Sequence, residues 1–124
     1  MRYNKIHAYI RSHRLSSVEE ALLEHGIVGF SFCRVKGMGE YANYFTPDHL
    51  VEHVRLEIFV PAEKVEAAID AIVGAASTHE PGDGLIAVMP VERIIRIRDR
   101  AEVSPEELQE EFTGPAVRGR EGDT

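Results

Sequence analysis

The sequence predicts an α+β fold in which helices cover one face of an antiparallel sheet. Three observations carry that prediction: period-two alternation of apolar and polar residues through 51–60, helical spacing of apolar residues through 65–76, and strand-like and helix-like segments taking turns along one chain. The length of 124 residues suits one domain, and 44% hydrophobic with 28% charged residues is an ordinary globular balance. A chain this short leaves much of its surface in water, so size alone favours self-association.

Lys5-Ile6-His7-Ala8-Tyr9-Ile10-Arg11 puts Ile6, Ala8 and Ile10 on one face and predicts the first strand. Ser16-Ser17-Val18-Glu19 has capping-box spacing, and the stripe of Val18, Leu22 and Leu23 runs out at His25-Gly26, which predicts a helix of about ten residues. Phe30 to Lys36 is aromatic and β-branched, and Gly37 and Gly39 bracket Met38 just beyond it: a second strand entering a loop. From Val51, residues Val54, Leu56, Ile58 and Val60 alternate with Arg55, Glu57 and Phe59 until Pro61, the clearest strand in the chain. Pro61 suits a helix start, and Val65, Ala68, Ile69, Ile72 and Ala76 recur at helical spacing after it. Pro81-Gly82-Asp83-Gly84 is a turn, followed by the apolar run Leu85-Ile86-Ala87-Val88-Met89 and, after Pro90, by a strand or ribbon at Ile94-Ile95-Arg96-Ile97-Arg98.

The order is strand, helix, strand, strand, helix, strand, the double βαβ unit of the ferredoxin-like fold. Its helices cover one sheet face, and the bare face invites association into a homotrimer. We expect this domain to occupy residues 1–98. Residues 99–124 carry eight acids and three arginines, against thirteen acids and eleven bases before them, so the net charge of −7 is concentrated in an acidic tail. Apart from a short helical possibility at Ser104-Pro105-Glu106-Glu107-Leu108, the tail lacks periodicity and is expected to be mostly mobile. With no lysine-rich stripe in the body, nucleic-acid binding is not expected.

No stretch approaches the roughly 20 consecutive apolar residues of a membrane span, and Met1-Arg2-Tyr3-Asn4-Lys5 leads into a strand rather than a signal peptide, which points to the cytoplasm. Cys33 is the single cysteine and reads as a small core residue. His49 and His53 have i, i+4 spacing, but on a strand that separates the rings by over ~10 Å, so no metal site is expected there. His7, His13, His25 and His79 read as surface or interface residues. Catalysis would need a nucleophile with its base, or paired acids; Asp83 reads as a turn cap and Glu57 as an outward strand residue, and no enzyme is expected.

Lys5-Ile6, Val35-Lys36-Gly37-Met38-Gly39, Glu57-Ile58-Phe59-Val60-Pro61, Gly82-Asp83-Gly84 and Ile95-Arg96-Ile97-Arg98, in this order, resemble the P-II signal-transduction superfamily over roughly residues 5–98. The resemblance implies a trimer with adenine nucleotide sites at subunit boundaries. Gly82 and Gly84, flanking Asp83, would let backbone N–H groups approach phosphate oxygens. Arg96 and Arg98, two apart on one strand face, would grip a phosphate with two guanidinium forks. Gly29, Phe30, Ser31, Gly37, Met38 and Gly39 match positions that enclose the nucleotide, and Tyr9 and Phe59 match apolar positions near the base.

The chain also departs from the long-loop members of that superfamily. Their loop after the second strand is several residues longer, begins with an arginine and a glutamine, and carries a modifiable tyrosine. Here it reads Gly39-Glu40-Tyr41-Ala42-Asn43-Tyr44-Phe45, with Glu40 and Tyr41 in place of that pair, so neither Tyr41 nor Tyr44 inherits the tyrosine's role. The glutamine is a magnesium ligand for 2-oxoglutarate, and the lysine that pairs with that acid is replaced by His53, so 2-oxoglutarate sensing is not expected. Leu85 replaces a lysine that contacts outer phosphates, which shifts the expected ligand to ADP or AMP ahead of ATP, with cyclic AMP a further candidate.

Some P-II-like proteins accompany bicarbonate transporters or carboxysomes. A bicarbonate site here would draw on His53, Arg98, Gly39, Glu40 and Tyr41, with such a transporter or carboxysome protein as the partner reached by the 37–50 loop. The alternatives are a metal-efflux-associated relative, the structurally related trimeric divalent-cation-tolerance proteins, and a nitrogen-regulatory P-II protein of the usual kind. For the adenine-nucleotide sensor no cofactor is expected to be required, and no metal site is expected.

Overall fold

The computed structural model describes residues 3–37, 51–105 and 107. Strands β1 (Tyr3–Arg11), β2 (Phe30–Gly37), β3 (Val51–Pro61) and β4 (Leu85–Val91) form one sheet in the order β2-β3-β1-β4, with every neighbouring pair antiparallel. Helices α1 (Leu15–Glu24) and α2 (Val65–Ala76) lie on one face of it. This is the ferredoxin-like arrangement that the element order predicts.

Alternation decides which face is buried. Ile6, Ala8 and Ile10 of β1 sit opposite Ile58, Leu56 and Val54 of β3, and all six are buried beneath Val18 and Leu22 of α1 and Ala68, Ala71 and Ile72 of α2. The intervening residues Lys5, His7, Tyr9, Arg55, Glu57 and Phe59 lie on the open face and are half-buried. At one end this open face is covered. A hairpin of β5 (Ile95–Arg96) and β6 (Ala101–Glu102) folds back, and Val103 packs with Tyr3 against Phe59, Val91 and Ile94 in a small second core. The Val103 N–H donates to Ile94 O at 2.9 Å.

Several expectations need correction. The strand reading of Ile95-Arg96-Ile97-Arg98 holds only for Ile95–Arg96, because residues 97–100 turn the chain and leave Ile97 97% exposed. The domain boundary expected after Arg98 therefore falls inside the hairpin, and Val103 and Pro105 are buried beyond it. Residues 108–124 lie outside the described residues. The capping box at Ser16 is not used: α1 starts at Leu15 after a 3-10 turn, Ser12–Arg14, with no side-chain cap. Pro61 ends β3, and a matching 3-10 turn, Ala62–Lys64, leads into α2. Cys33 is half-buried in β2 opposite Arg55, on the open face rather than in the main core.

The end of α1 follows its sequence signal. Ile27 N–H donates to Leu22 O at 2.9 Å and Gly26 N–H to Leu23 O at 3.0 Å, with Gly26 at φ 74°, the glycine-terminated closure that His25-Gly26 predicts.

A second glycine sets the position of β4. Gly84 has φ 106°, and a Cβ there would overlap the Tyr9 carbonyl, so only glycine lets the turn approach β1 this closely. Gly84→Ala should destabilise the protein by about 3 kcal/mol or more, read as a lower urea midpoint at fixed protein concentration.

Candidate functional site

Residues 77–84 join α2 to β4, and Asp83 organises them. Its carboxylate accepts hydrogen bonds from the Thr78 hydroxyl at 2.5 Å, the Thr78 N–H at 2.7 Å and the Glu80 N–H at 3.4 Å. Arg11 Nε donates to the same carboxylate at 3.2 Å. The Thr78 hydroxyl, then the Thr78 amide, and then Arg11 and the Glu80 amide hold the carboxyl well below the ordinary aspartate range. The turn-cap reading of Asp83 is therefore right in kind, with a larger set of partners than the sequence suggests.

Two further bonds tie the turn to the sheet. Arg11 Nη2 donates to Pro81 O at 3.1 Å, and His53 Nε2 donates to Gly82 O at 3.0 Å. Gly82 has φ 101°, a backbone angle that favours glycine; a Cβ there would lie 2.9 Å from Arg11 Nη2, the movable end of that side chain. His53 is 1% exposed, which places it inside the fold rather than at a bicarbonate-accessible surface. Gly37 ends β2 opposite Val51 and Val35 lies opposite His53, so the root of the 38–50 connection is next to this turn.

The structure brings Tyr9, Asp83 and Gly84 to one cleft of about 410 Å³ between α2 and β4, walled by Ile69, Val73, Leu85 and Val88. Leu85, where the resemblance has a phosphate-contacting lysine, is 49% exposed. The cleft is thus apolar apart from its rim at the turn.

The remaining predicted residues sit elsewhere. Gly29 has φ 75° and leads into β2; Phe30 packs against the main core; Ser31 is exposed opposite Glu57. Phe59 belongs to the second core, with Lys5 Nζ 5.3 Å from its ring centroid. Arg96 grips Asp99: Nε lies 3.1 Å and 3.3 Å from the two carboxylate oxygens and Nη2 lies 3.0 Å from Oδ2. These bonds, with the Ala101 N–H, lower the Asp99 pKa. Arg98 lies in the following turn and does not share a strand face with Arg96, contrary to the sequence reading.

Arg11 closes β1 at the turn end, whereas Tyr3 opens it beside the hairpin. Nine residues of strand separate the two ends by about 27 Å. Met38, Gly39, Glu40 and Tyr41 lie outside the described residues.

Between these ends, Glu57 holds the open face together. Lys5 Nζ lies 3.1 Å from its carboxylate and Arg55 Nε 3.0 Å, with His7 Nε2 at 3.8 Å. Hydrogen bonding by Lys5 first, then the charges of Lys5, Arg55 and His7, lower its pKa. Sequence reasoning missed Arg11 and Thr78 as partners of Asp83 and missed Asp99 as the partner of Arg96. Only the last had a local signal, opposite charges three residues apart.

Comparison with known proteins agrees with this fold. The family model described as nitrogen regulatory protein P-II matches residues 3–101. The nitrogen regulatory protein P-II of Rhodobacter capsulatus is 43% identical over 101 residues, covering 76% of this chain and 90% of the relative. Nitrogen regulatory protein P-II 1 of Escherichia coli K12 is 40% identical over 101 residues, with the same coverage of 76% and 90%. Among solved structures, Arabidopsis thaliana PII bound to citrate superposes with a TM-score of 0.71 at 38% identity, over 82% of this chain and 88% of that one.

The depressed pKa of Asp83 gives a signed expectation. Its contribution to stability is complete above the ordinary aspartate value of 3.8 and is lost as pH falls below it toward the lower folded value. Asp83→Asn should therefore lower the thermal midpoint at pH 7, and the gap from the parent protein should narrow in a melting series taken down to pH 2.

Proposed function

Since the chain belongs to the nitrogen regulatory protein P-II family, we propose that it is a homotrimeric, non-catalytic sensor that binds adenine nucleotides between subunits and signals through the 37–50 loop. One observation carries the proposal. The glycine turn is held at the Arg11 end of the sheet, about 27 Å along β1 from the Tyr3 end, beside which the hairpin bearing Arg96 and Arg98 packs. A single nucleotide cannot span that length, so a site using both groups needs two copies of the chain.

In this reading the turn of one subunit and the hairpin of its neighbour face each other across the nucleotide. Asp99 already neutralises Arg96, so phosphate would share or displace that carboxylate. With apolar Leu85 beside the turn, ADP or AMP is favoured over ATP, whose third phosphate would lack a cation. The names of the curated relatives favour nitrogen regulation over the bicarbonate reading, and the burial of His53 weakens the bicarbonate site further. Among the described residues no helix is long and apolar enough to cross a membrane; a cytoplasmic protein partner fits the proposal. Nucleotide would act by population shift, favouring one arrangement of the loop because it binds that arrangement better.

Titration calorimetry against AMP, ADP, ATP and cyclic AMP tests the reading. ADP or AMP should bind more tightly than ATP, and Arg96→Ala should weaken ADP by about tenfold or more while light scattering still reports a trimer. Unchanged ADP affinity in that variant refutes the hairpin assignment. Tighter binding in bicarbonate would restore the carbon alternative, and a response to 2-oxoglutarate with magnesium would identify a sensor of the usual nitrogen kind.

A further inference from the structure

We infer that Arg11 and His53 are positioning residues that fix the 77–84 turn for anion binding, and that His53 ties this turn to the paired ends of β2 and β3. The inference rests on the nucleotide reading above. Arg11 and His53 stand directly opposite each other across the β1–β3 pair. From those adjacent points they hold successive carbonyls of the turn, Arg11 taking Pro81 O at 3.1 Å and His53 taking Gly82 O at 3.0 Å.

A carbonyl oxygen aimed at a phosphate repels it, whereas the N–H on the other side of the same planar peptide attracts it. Of the two peptides held here, that of Gly82–Asp83 already shares its N–H with Glu80 O at 3.3 Å, so the attraction falls first to the Gly82 N–H. Engaging both carbonyls with donors keeps them from an incoming anion. The restraint is needed because the turn contains Gly82 and Gly84, and glycine offers little resistance to reversal of its flanking peptides. Arg11 adds a second restraint through Asp83, which in turn holds Thr78.

His53 also has a favourable place in the chain. It lies two residues after Val51, where β3 begins, and Val51 pairs with Gly37 at the root of the 38–50 connection. The carbonyl it binds can only accept, so the proton sits on Nε2. One side chain therefore joins the start of β3 to the centre of the turn.

The test measures ADP binding by calorimetry and amide hydrogen exchange over residues 77–84 in the full chain. Arg11→Met and His53→Leu remove the donors; His53→Gln keeps an N–H donor. We expect Arg11→Met and His53→Leu to weaken ADP by about tenfold and to speed exchange in the turn, with His53→Gln staying within about threefold of the parent in affinity. Arg11 is half-exposed, so its variant serves even if His53→Leu fails to fold. Parent binding with unchanged affinity and exchange in Arg11→Met, or equal losses in His53→Leu and His53→Gln, overturns this inference alone. A parent protein that does not bind ADP overturns the nucleotide reading and the inference with it.

Discussion

The pairing of β1 with β3 sets Ile6 against Ile58 and, at its far end, Arg11 against His53. A slip of one residue in that pair would carry Ile6, Ala8 and Ile10 to the open face and bring Lys5, His7 and Tyr9 under the helices. The same slip would separate Arg11 from His53. Core and turn thus depend on one register, and the apolar contacts that enforce the first also place the second. Burying the charged side of β1 would cost far more than any turn contact could return, which explains how a loop of glycines acquires a definite shape.

The open face has a different logic. Lys5, His7, Arg55 and Glu57 gather within salt-bridge range, and Glu57 is the shared acid. Half-exposed ion pairs of this kind contribute little to the stability of one subunit. Glu57 offsets one of the two positive charges of Lys5 and Arg55, and that pairing matters more if another copy covers the face, because an unpaired charge there would resist desolvation. At the hairpin end the same face is already closed by Val103 and Tyr3.

Much of the fold was legible because its signals are local or periodic. The alternation of Val54, Leu56, Ile58 and Val60 specifies both a strand and its buried side, and Gly26 marks the end of α1. The capping box failed because the 3-10 turn of Ser12–Arg14 brings the chain into helical form before Ser16 is reached. Ile95-Arg96-Ile97-Arg98 alternates like a strand, yet Arg96 finds Asp99 and the chain turns after one pair of residues. The candidate site was legible as a set of residue types but not as an arrangement. Arg11 and Asp83 meet through tertiary packing, and no local pattern announces that His53 turns inward to a backbone carbonyl.

The sheet order has a consequence for how the chain is made. Tyr3, near the start, pairs with both Pro61 and Val91, so the central strand waits for partners synthesised much later. Neither β-α-β half can complete a sheet alone, since β3 lies between β1 and β2 while β1 lies between β3 and β4. During translation the early strand therefore remains without its neighbours, and its apolar side is open to chaperones until β3 emerges. The turn of Gly82 and Gly84 and, after it, the hairpin bearing Arg96 both emerge later than β1 and β3, so the candidate ligand site is completed only after the scaffold has committed to its register.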